Sequence, residues 1–194
     1  MKGSTKKEFE KVEFKDLDVS GYKLLSKSFH ECTFEKCDFT KAIFLDSVFT
    51  NCHFKSCNLS LTNLKGTSLQ GVKFTECKLV GINFVEVNNL LIEIDFNACL
   101  INNCNFSELM LSKTNFINSE VVDCDFYKTN LTASDFSGTT LTGTLFDQTN
   151  LSKADFSDAK DYSINPVNNK LKEAKFSLPE AISLLNVFDI KIGI

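Results

Sequence analysis

Tryptophan is absent from the sequence, and proline occurs only twice in 194 residues. So few prolines leave nearly every backbone N–H available for hydrogen bonds between strands. The N-terminal segment MKGSTKKEFEK contains no apolar core, so we expect no signal peptide. No run of about 18 apolar residues occurs, so we expect no membrane-spanning helix.

Motifs for catalysis and cofactor binding are also missing. The sequence contains no HExxH zinc motif, no phosphate-binding Walker loop, no GxGxxG and no Ser/His/Asp arrangement of a hydrolase. We therefore predict that the protein is not an enzyme and that it needs no cofactor or metal ion.

A five-residue repeat takes the place of these motifs. Between residues 129 and 157 a large apolar residue, which we call the centre, returns at every fifth position, at Leu131, Phe136, Leu141, Phe146, Leu151 and Phe156. A small residue stands two positions before each centre. A period of five matches neither an α-helix nor a plain strand, and it indicates a repeat architecture.

The identity of the centres persists at intervals of 20 residues, which predicts coils of four repeats stacked on one another. One such column consists of phenylalanine alone: Phe14, Phe34, Phe54, Phe74, Phe96, Phe116, Phe136 and Phe156. Seven residues instead of five separate Phe84 from Leu91, the next predicted centre. We therefore expect a two-residue insertion near residues 85–90 that bulges at a corner without rotating the coil.

The repeat units TNLTA, ADFSD, CDFTK, CNLSL and CNFSE resemble those of the pentapeptide-repeat family. This resemblance extends over about residues 7–159. It implies an all-β solenoid, a right-handed quadrilateral β-helix with four pentapeptides in each coil. Stacked coils of this kind bury a continuous apolar core that no single repeat could bury alone.

All eight cysteines stand two positions before a centre. A zinc site would need four ligands that converge on one point, whereas a column places one thiol in each coil. Spacing alone permits disulfides, but parallel side chains on stacked coils point the same way. We predict reduced, buried cysteines that act as small apolar residues, and hence a cytoplasmic location.

The repeat ends near residue 161, which divides the chain into a β-helix (1–161) and a C-terminal segment (162–194). Ser177 and Glu180 have the spacing of a capping box and predict a short α-helix at about 178–188, followed by a possible strand at 189–194. This helix either covers the end of the stack or pairs with a second copy in a two-fold dimer. The family resemblance favours the homodimer, and its candidate residues are Leu178, Ile182, Leu185 and Phe188.

Charge is unevenly distributed along the chain. Residues 1–85 contain 13 lysines and 10 acidic residues, whereas residues 86–161 contain 4 lysines and 12 acidic residues, a net charge of −8. Four of the twelve, Asp95, Asp125, Asp135 and Asp155, directly precede a centre and suit side chains that bond to the backbone of turns. The remaining excess predicts repulsion of nucleic acid and attraction to a basic groove on a protein.

The segment GVKFTECKLVGINF, residues 71–84, is similar to the Qnr-type members of the family, which protect DNA gyrase and topoisomerase IV. The resemblance implies a protein shaped and charged like B-form DNA that contacts the DNA-binding surface of the topoisomerase and confers quinolone resistance. The candidate contact acids are Glu86, Glu93, Asp95 and Glu108, with Leu90 and Ile92 as apolar anchors. The alternative is a scaffolding module for another protein partner, because fold alone does not fix function.

Overall fold

The computed structural model describes residues 7–190, and within that range the backbone winds into a rod of stacked coils. Each turn of the chain contributes very short strands that pair in parallel with the turns before and after it. The sixteen strands of residues 7–190 are β1 (Glu8–Glu10), β2 (Glu13–Lys15), β3 (Ser28–His30), β4 (Thr33–Glu35), β5 (Val48–Thr50), β6 (His53–Lys55), β7 (Ser68–Gln70), β8 (Val72–Thr75), β9 (Lys78–Val80), β10 (Ile94–Asn97), β11 (Leu100–Asn102), β12 (Glu120–Val122), β13 (Leu145–Phe146), β14 (Asp155–Phe156), β15 (Ser163–Ile164) and β16 (Lys175–Phe176). Three 3-10 helices are also present in this range, at Phe84–Glu86, Asn89–Leu91 and Glu180–Phe188. No helix among the described residues is long and apolar enough to cross a membrane.

Strand pairing defines four sides, which we number in chain order. Side 1 carries the sheet β1-β3-β5-β7, side 2 carries β2-β4-β6-β8-β10, and side 3 carries β9-β11-β12. Side 4 is held by single bridges, such as Ile43 to Asn63 and Asp125 to Leu145, and by the pair β13-β15. Partners such as Phe14 and Phe34 are 20 residues apart, which confirms the predicted coil length and the quadrilateral β-helix.

The core is a stack of phenylalanine and aliphatic side chains along the axis of the rod. Phe116 is fully buried, and its ring stacks on Phe96 and Phe136 with centroid distances of 5.1 and 4.7 Å. It also meets the ring of Phe126, on the opposite side of the same coil, edge to face at 5.6 Å. Both arrangements are favoured for aromatic pairs, so the core combines stacking between coils with edge contacts within a coil.

The corners of the coils explain why a small residue precedes each centre. The Thr139 hydroxyl lies inside the corner and donates to the carbonyl of Phe116 at 2.7 Å. The Cys57 thiol makes the equivalent contact to the carbonyl of Phe34 at 3.3 Å. All eight cysteines are buried and free, as predicted.

The backbone turns at each corner through a left-handed residue two positions after the centre. Lysine, glutamate and asparagine adopt this conformation at many corners, and glycine adopts it at others. At Gly143, where φ is +67°, an added Cβ would collide with the carboxylate of Asp123, one coil earlier. Glycine is therefore favoured there by the neighbouring carboxylate as well as by its backbone angle.

The two inserted residues lie within one corner. Ser68 bridges to Asn88, a spacing of 20, whereas Val72 pairs with Ile94, a spacing of 22. The phenylalanine column remains in register because Phe74 pairs with Phe96, which confirms that the insertion does not rotate the coil. One residue was assigned wrongly: Leu91 was expected in the core but is 68% exposed, because it belongs to the 3-10 helix that carries the insertion.

Strand pairing continues past residue 161 to the end of β16, where Phe156 pairs with Phe176. The predicted end of the ladder at 161 therefore lies too early, since Ile164 and Phe176 still pair with the preceding coil. The separate role of residues 162–194 in dimerisation stays a prediction.

A single helix follows the last strand, at Glu180–Phe188, and it has 3-10 rather than the predicted α-helical hydrogen bonding. The predicted capping box does not form, because the Ser177 hydroxyl instead accepts a hydrogen bond from the N–H of Asp158 at 3.1 Å. Leu184 packs against the core at the end of the stack. Asp189 and Ile190 are not in a strand, and the rest of the strand expected at 189–194 lies outside the described residues.

Candidate partner-binding surfaces

The insertion forms a short protruding loop on side 1, which we call the side-1 loop (residues 88–92). Asn88 holds its base, because its side chain accepts a hydrogen bond from the N–H of Leu90 at 3.3 Å and donates one to the Ser68 hydroxyl at 3.2 Å. Beyond this anchor, Leu90 is 83% exposed. Ile92, the other predicted anchor, is half-buried and packs against the core in the place expected for Leu91.

An apolar patch surrounds the tip of this loop. Met110 stands on the next coil of side 1 and is 61% exposed, so it continues the apolar surface of Leu90 and Leu91. Side chains of this size that project into water are unusual when they occur together on a monomer, and such patches mark contact sites.

The predicted contact acids divide between the two edges of side 1. Glu86 and Glu108 share one corner. They stand two residues after Phe84 and Phe106, and the rings of these two phenylalanines stack with a centroid distance of 4.6 Å. Glu93 and Asp95 lie at the opposite edge, where they line a cleft of about 430 Å³ together with Leu91 and a cationic residue, Lys113. The structure therefore groups Glu93 and Asp95 and separates them from Glu86 and Glu108.

These carboxylates differ in their freedom to bind a partner. Glu86, Glu93 and Glu108 are exposed, and among residues 7–190 none of the four candidate acids forms an ion pair. Asp95 is half-buried, and its Oδ1 accepts hydrogen bonds from both the backbone N–H and the side-chain amide of Asn115 at 2.9 Å.

The other three aspartates that precede a centre form turns, as predicted. Their Oδ1 atoms accept hydrogen bonds from the backbone N–H two residues later, at 2.8 Å from Tyr127 to Asp125, 2.8 Å from Ser137 to Asp135 and 2.9 Å from Ser157 to Asp155. Their charge remains at the surface, but their positions are explained by the turns of the coil.

The C-terminal helix presents a second apolar surface. Leu178, Ile182, Leu185 and Phe188, the predicted dimerisation residues, are all exposed, and Leu178 is the most exposed of them at 77%. Leu184 alone among the apolar side chains of this helix packs against the core of the rod. Nothing within residues 7–190 covers the outer face of the helix.

Comparisons with known proteins agree with this architecture. A family model described as a pentapeptide repeat region matches residues 27–90 and 87–156. The structure is similar to that of a trypsin-treated variant of QnrB1, a plasmid-mediated fluoroquinolone resistance protein, with a TM-score of 0.64, 16% identity, and coverage of 95% of this chain and 99% of that one.

A second trypsin-treated QnrB1 variant gives a TM-score of 0.61 and 21% identity, with coverage of 95% of this chain and 91% of that chain. At these identities the likeness shows the shared fold. No curated protein sequence matches significantly. Because the family model covers most of the chain and the coil geometry fits it, this protein belongs to the pentapeptide-repeat family.

Proposed function

We propose that this protein is a non-enzymatic, DNA-mimicking protein that binds a type II topoisomerase, DNA gyrase or topoisomerase IV, and protects it from quinolones. The observation that carries the proposal is the exposed side-1 loop, which places Leu90 and Leu91 halfway along the rod, between Glu86 at one edge of side 1 and Glu93 at the other.

Charge supports the same conclusion. Residues 86–161 carry a net charge of −8, and that half of the rod holds all four candidate contact acids. A negatively charged rod is attracted to the positively charged surface on which an enzyme binds duplex DNA, and complementary potential speeds the encounter. Apolar anchors such as Leu90 would then hold the complex after the encounter.

The test is supercoiling of relaxed plasmid by purified gyrase at a concentration of ciprofloxacin that inhibits it, titrated with this protein. We expect supercoiling to return as the protein is added. Direct binding is measured in parallel by immobilising the protein and passing gyrase subunits over it. No recovery together with no binding at any concentration would exclude the proposal.

Two variants locate the contact. Leu90→Ser with Leu91→Ser removes the apolar tip, and Glu86→Lys with Glu93→Lys reverses charge at both edges of side 1. We expect each to weaken binding at least about tenfold, since interface anchors often contribute more than 1.4 kcal/mol. Glu120→Lys with Asp158→Lys is the matched control, because it changes the net charge equally at exposed positions that lie off side 1 and form no ion pair among residues 7–190. Equal losses in test and control would show only a dependence on net charge.

We propose in addition that the C-terminal helix forms a homodimer through Leu178, Ile182, Leu185 and Phe188. The exposure of all four side chains supports this contact. Deletion of residues 177–194, or Leu185→Glu with Phe188→Glu, is expected to abolish it in light-scattering measurements. If the deletion also unfolds the last coil, the double substitution still tests the contact, because both of its side chains face outward.

A scaffolding module for another protein is the second candidate function. The observation that favours it is the small size of the side-1 loop, which exceeds a regular coil by only two residues, as the spacings of 20 and 22 show. Affinity capture from host lysate, with the Leu90→Ser and Leu91→Ser variant as the comparison, separates the two. Loop-dependent recovery of topoisomerase subunits supports the first function, and loop-dependent recovery of a different protein supports the second.

A further inference from the structure

Side 4 of the rod carries outward apolar residues along both of its halves. In the N-terminal half, Leu25 and Val85 are 44% and 41% exposed, and in the C-terminal half Leu145 is 63% exposed. Half-buried apolar side chains, Leu45 and Tyr127, stand in the intervening coils. Side 2 differs, since its strand positions that point away from the core are almost all polar or charged.

The charges on side 4 are sorted along its length. At the positions directly before and after each centre, the N-terminal half has two lysines, Lys23 and Lys65, and no acidic residue. At the equivalent positions the C-terminal half has two aspartates, Asp125 and Asp147, and no lysine. Beside the centres, side 4 therefore presents a lysine half and an aspartate half, with apolar side chains in each. The corner that side 4 shares with side 1 adds Asp46 and Glu86 next to the first half, and Glu108 and Lys128 next to the second.

The four charges beside the centres are not neutralised within the rod. Across residues 7–190, neither lysine is in an ion pair, and neither aspartate has a lysine partner. The aspartates make only neutral hydrogen bonds, from the N–H of Tyr127 to Asp125 at 2.8 Å and from the amide of Asn168 to Asp147 at 3.2 Å. Neither carboxylate is therefore paired with a lysine of its own rod, and each is left for a cationic group of a partner.

We propose that side 4 binds side 4 of a second copy of this chain, with the two rods antiparallel. A two-fold axis perpendicular to the rods places the lysine half of each copy against the aspartate half of the other copy. Parallel rods would instead place lysine opposite lysine and aspartate opposite aspartate. Eight coils at about 4.8 Å give a contact about 38 Å long, and apolar side chains from both halves meet along it.

This contact uses a surface other than the side-1 loop and the outer face of the C-terminal helix, and it adjoins Glu86 and Glu108 at the corner between sides 1 and 4. The helix lies at one end of the rod, where it packs against Ser163–Ile164, the last strand of side 4. The rest of side 4 runs along the length of the rod, and the side-1 loop is on the adjacent side. A copy can therefore use side 4 while its loop and its helix remain accessible. The experiment is accordingly made in the Leu185→Glu and Phe188→Glu background, in which the helix contact is removed.

The experiment is charge-swap complementation. Variant A carries Lys23→Glu and Lys65→Glu, so both halves of its side 4 are negative. Variant B carries Asp125→Asn and Asp147→Lys, which makes its C-terminal half positive, and asparagine keeps the turn hydrogen bond at position 125. The parent, A, B and an equimolar mixture of A and B are compared by sedimentation equilibrium, with thermal melting to show that each is folded.

The parent is expected to dimerise with an affinity that falls as salt is raised, because screening weakens the charge contacts. A alone and B alone should have dissociation constants at least about tenfold higher, since like charges then face each other. The mixture should recover dimers that contain one chain of each kind. A monomeric parent, or folded A and B that bind no better mixed than alone, would overturn the proposal.

Discussion

The carboxylate of Asp95 bonds to the backbone N–H of Asn115, 20 residues later, and so joins two coils. At the same position one coil further on, the N–H of Asp135 donates to the carbonyl of Thr114 at 3.1 Å. The Asp95 side chain therefore occupies the place of a main-chain acceptor. It also accepts a hydrogen bond from the Asn115 amide at 2.9 Å.

Replacement of Asp95 separates its structural role from its charge. Asp95→Ala leaves the Asn115 N–H without this acceptor, and we expect a loss of about 1–3 kcal/mol in the free energy of unfolding. Asp95→Asn keeps an oxygen at that position and should cost less than about 1 kcal/mol. Urea denaturation of the two variants measures both values. Equal losses would mean that charge, not the acceptor, stabilises the coil.

Phe116 tests the packing of the core. Phe116→Ala removes a fully buried ring that contacts rings in its own coil and in both neighbouring coils, and we expect a loss of about 3–5 kcal/mol. Phe116→Leu should cost clearly less, because leucine fills the equivalent place at Leu111 on the adjacent side. The outward substitution Ser137→Ala is the control, expected within about 0.5 kcal/mol of the parent. The prediction fails if alanine and leucine are equally tolerated.

Gly143 tests the corners of the coils. Gly143→Ala forces a Cβ toward the carboxylate of Asp123 and places alanine at a φ of +67°, so we expect a loss of about 1–2 kcal/mol. In the Asp123→Ala background the collision is absent and only the cost of the backbone angle remains. Thermal unfolding of the two single variants and the double variant gives the coupling between the sites. Strict additivity would show that the contact contributes nothing.

The cysteines should resist modification in the folded protein. Burial raises the pKa of Cys52 to about 12, which keeps this thiol protonated and unreactive at neutral pH. All eight thiols are buried, so we expect no reaction with Ellman's reagent in buffer and reaction of every thiol in guanidinium chloride. Rapid labelling of a thiol under native conditions, with the protein still folded by circular dichroism, would contradict this arrangement.

His53 should make stability depend on pH. Its burial, and to a smaller extent Lys55 and Lys73, lowers the pKa of His53 in the folded state. The unfolded chain therefore binds the proton more readily, so this contribution is present above about pH 6.5 and is lost as pH falls below that value. The fall in the urea midpoint between pH 7.5 and pH 5 should be smaller in His53→Gln. The matched control is His30→Gln at an exposed site, and an unchanged pH dependence in His53→Gln would refute the prediction.

Most of the fold could be predicted from the sequence because one period governs both burial and turns. The spacing of centres such as Phe74 and Phe96 determines the register directly, and the structure has that register. The sequence could not show that Ile92, rather than Leu91, packs against the core. Both residues are apolar, and only the path of the inserted corner distinguishes them. Ile164 and Phe176 extend the ladder past 161 because the coil tolerates one irregular corner and then resumes.

The candidate surfaces were less predictable than the core. The sequence predicts contact acids at Glu86, Glu93 and Glu108, and all three are exposed, while their contact role stays a prediction. It did not reveal that Asp95 bonds to the following coil, because that bond depends on which residue stands 20 positions later. Side 4 was missed entirely. Its signal is present in the sequence, but it appears only when the positions beside each centre are sorted by side.

The corner at Asn89–Leu91 absorbs two additional residues while the aromatic rings on either side stay aligned. A corner can therefore accept two further residues without a change in the packing of the interior. The corners of the coils are thus the positions at which new recognition segments can evolve or be engineered while the core stays unchanged.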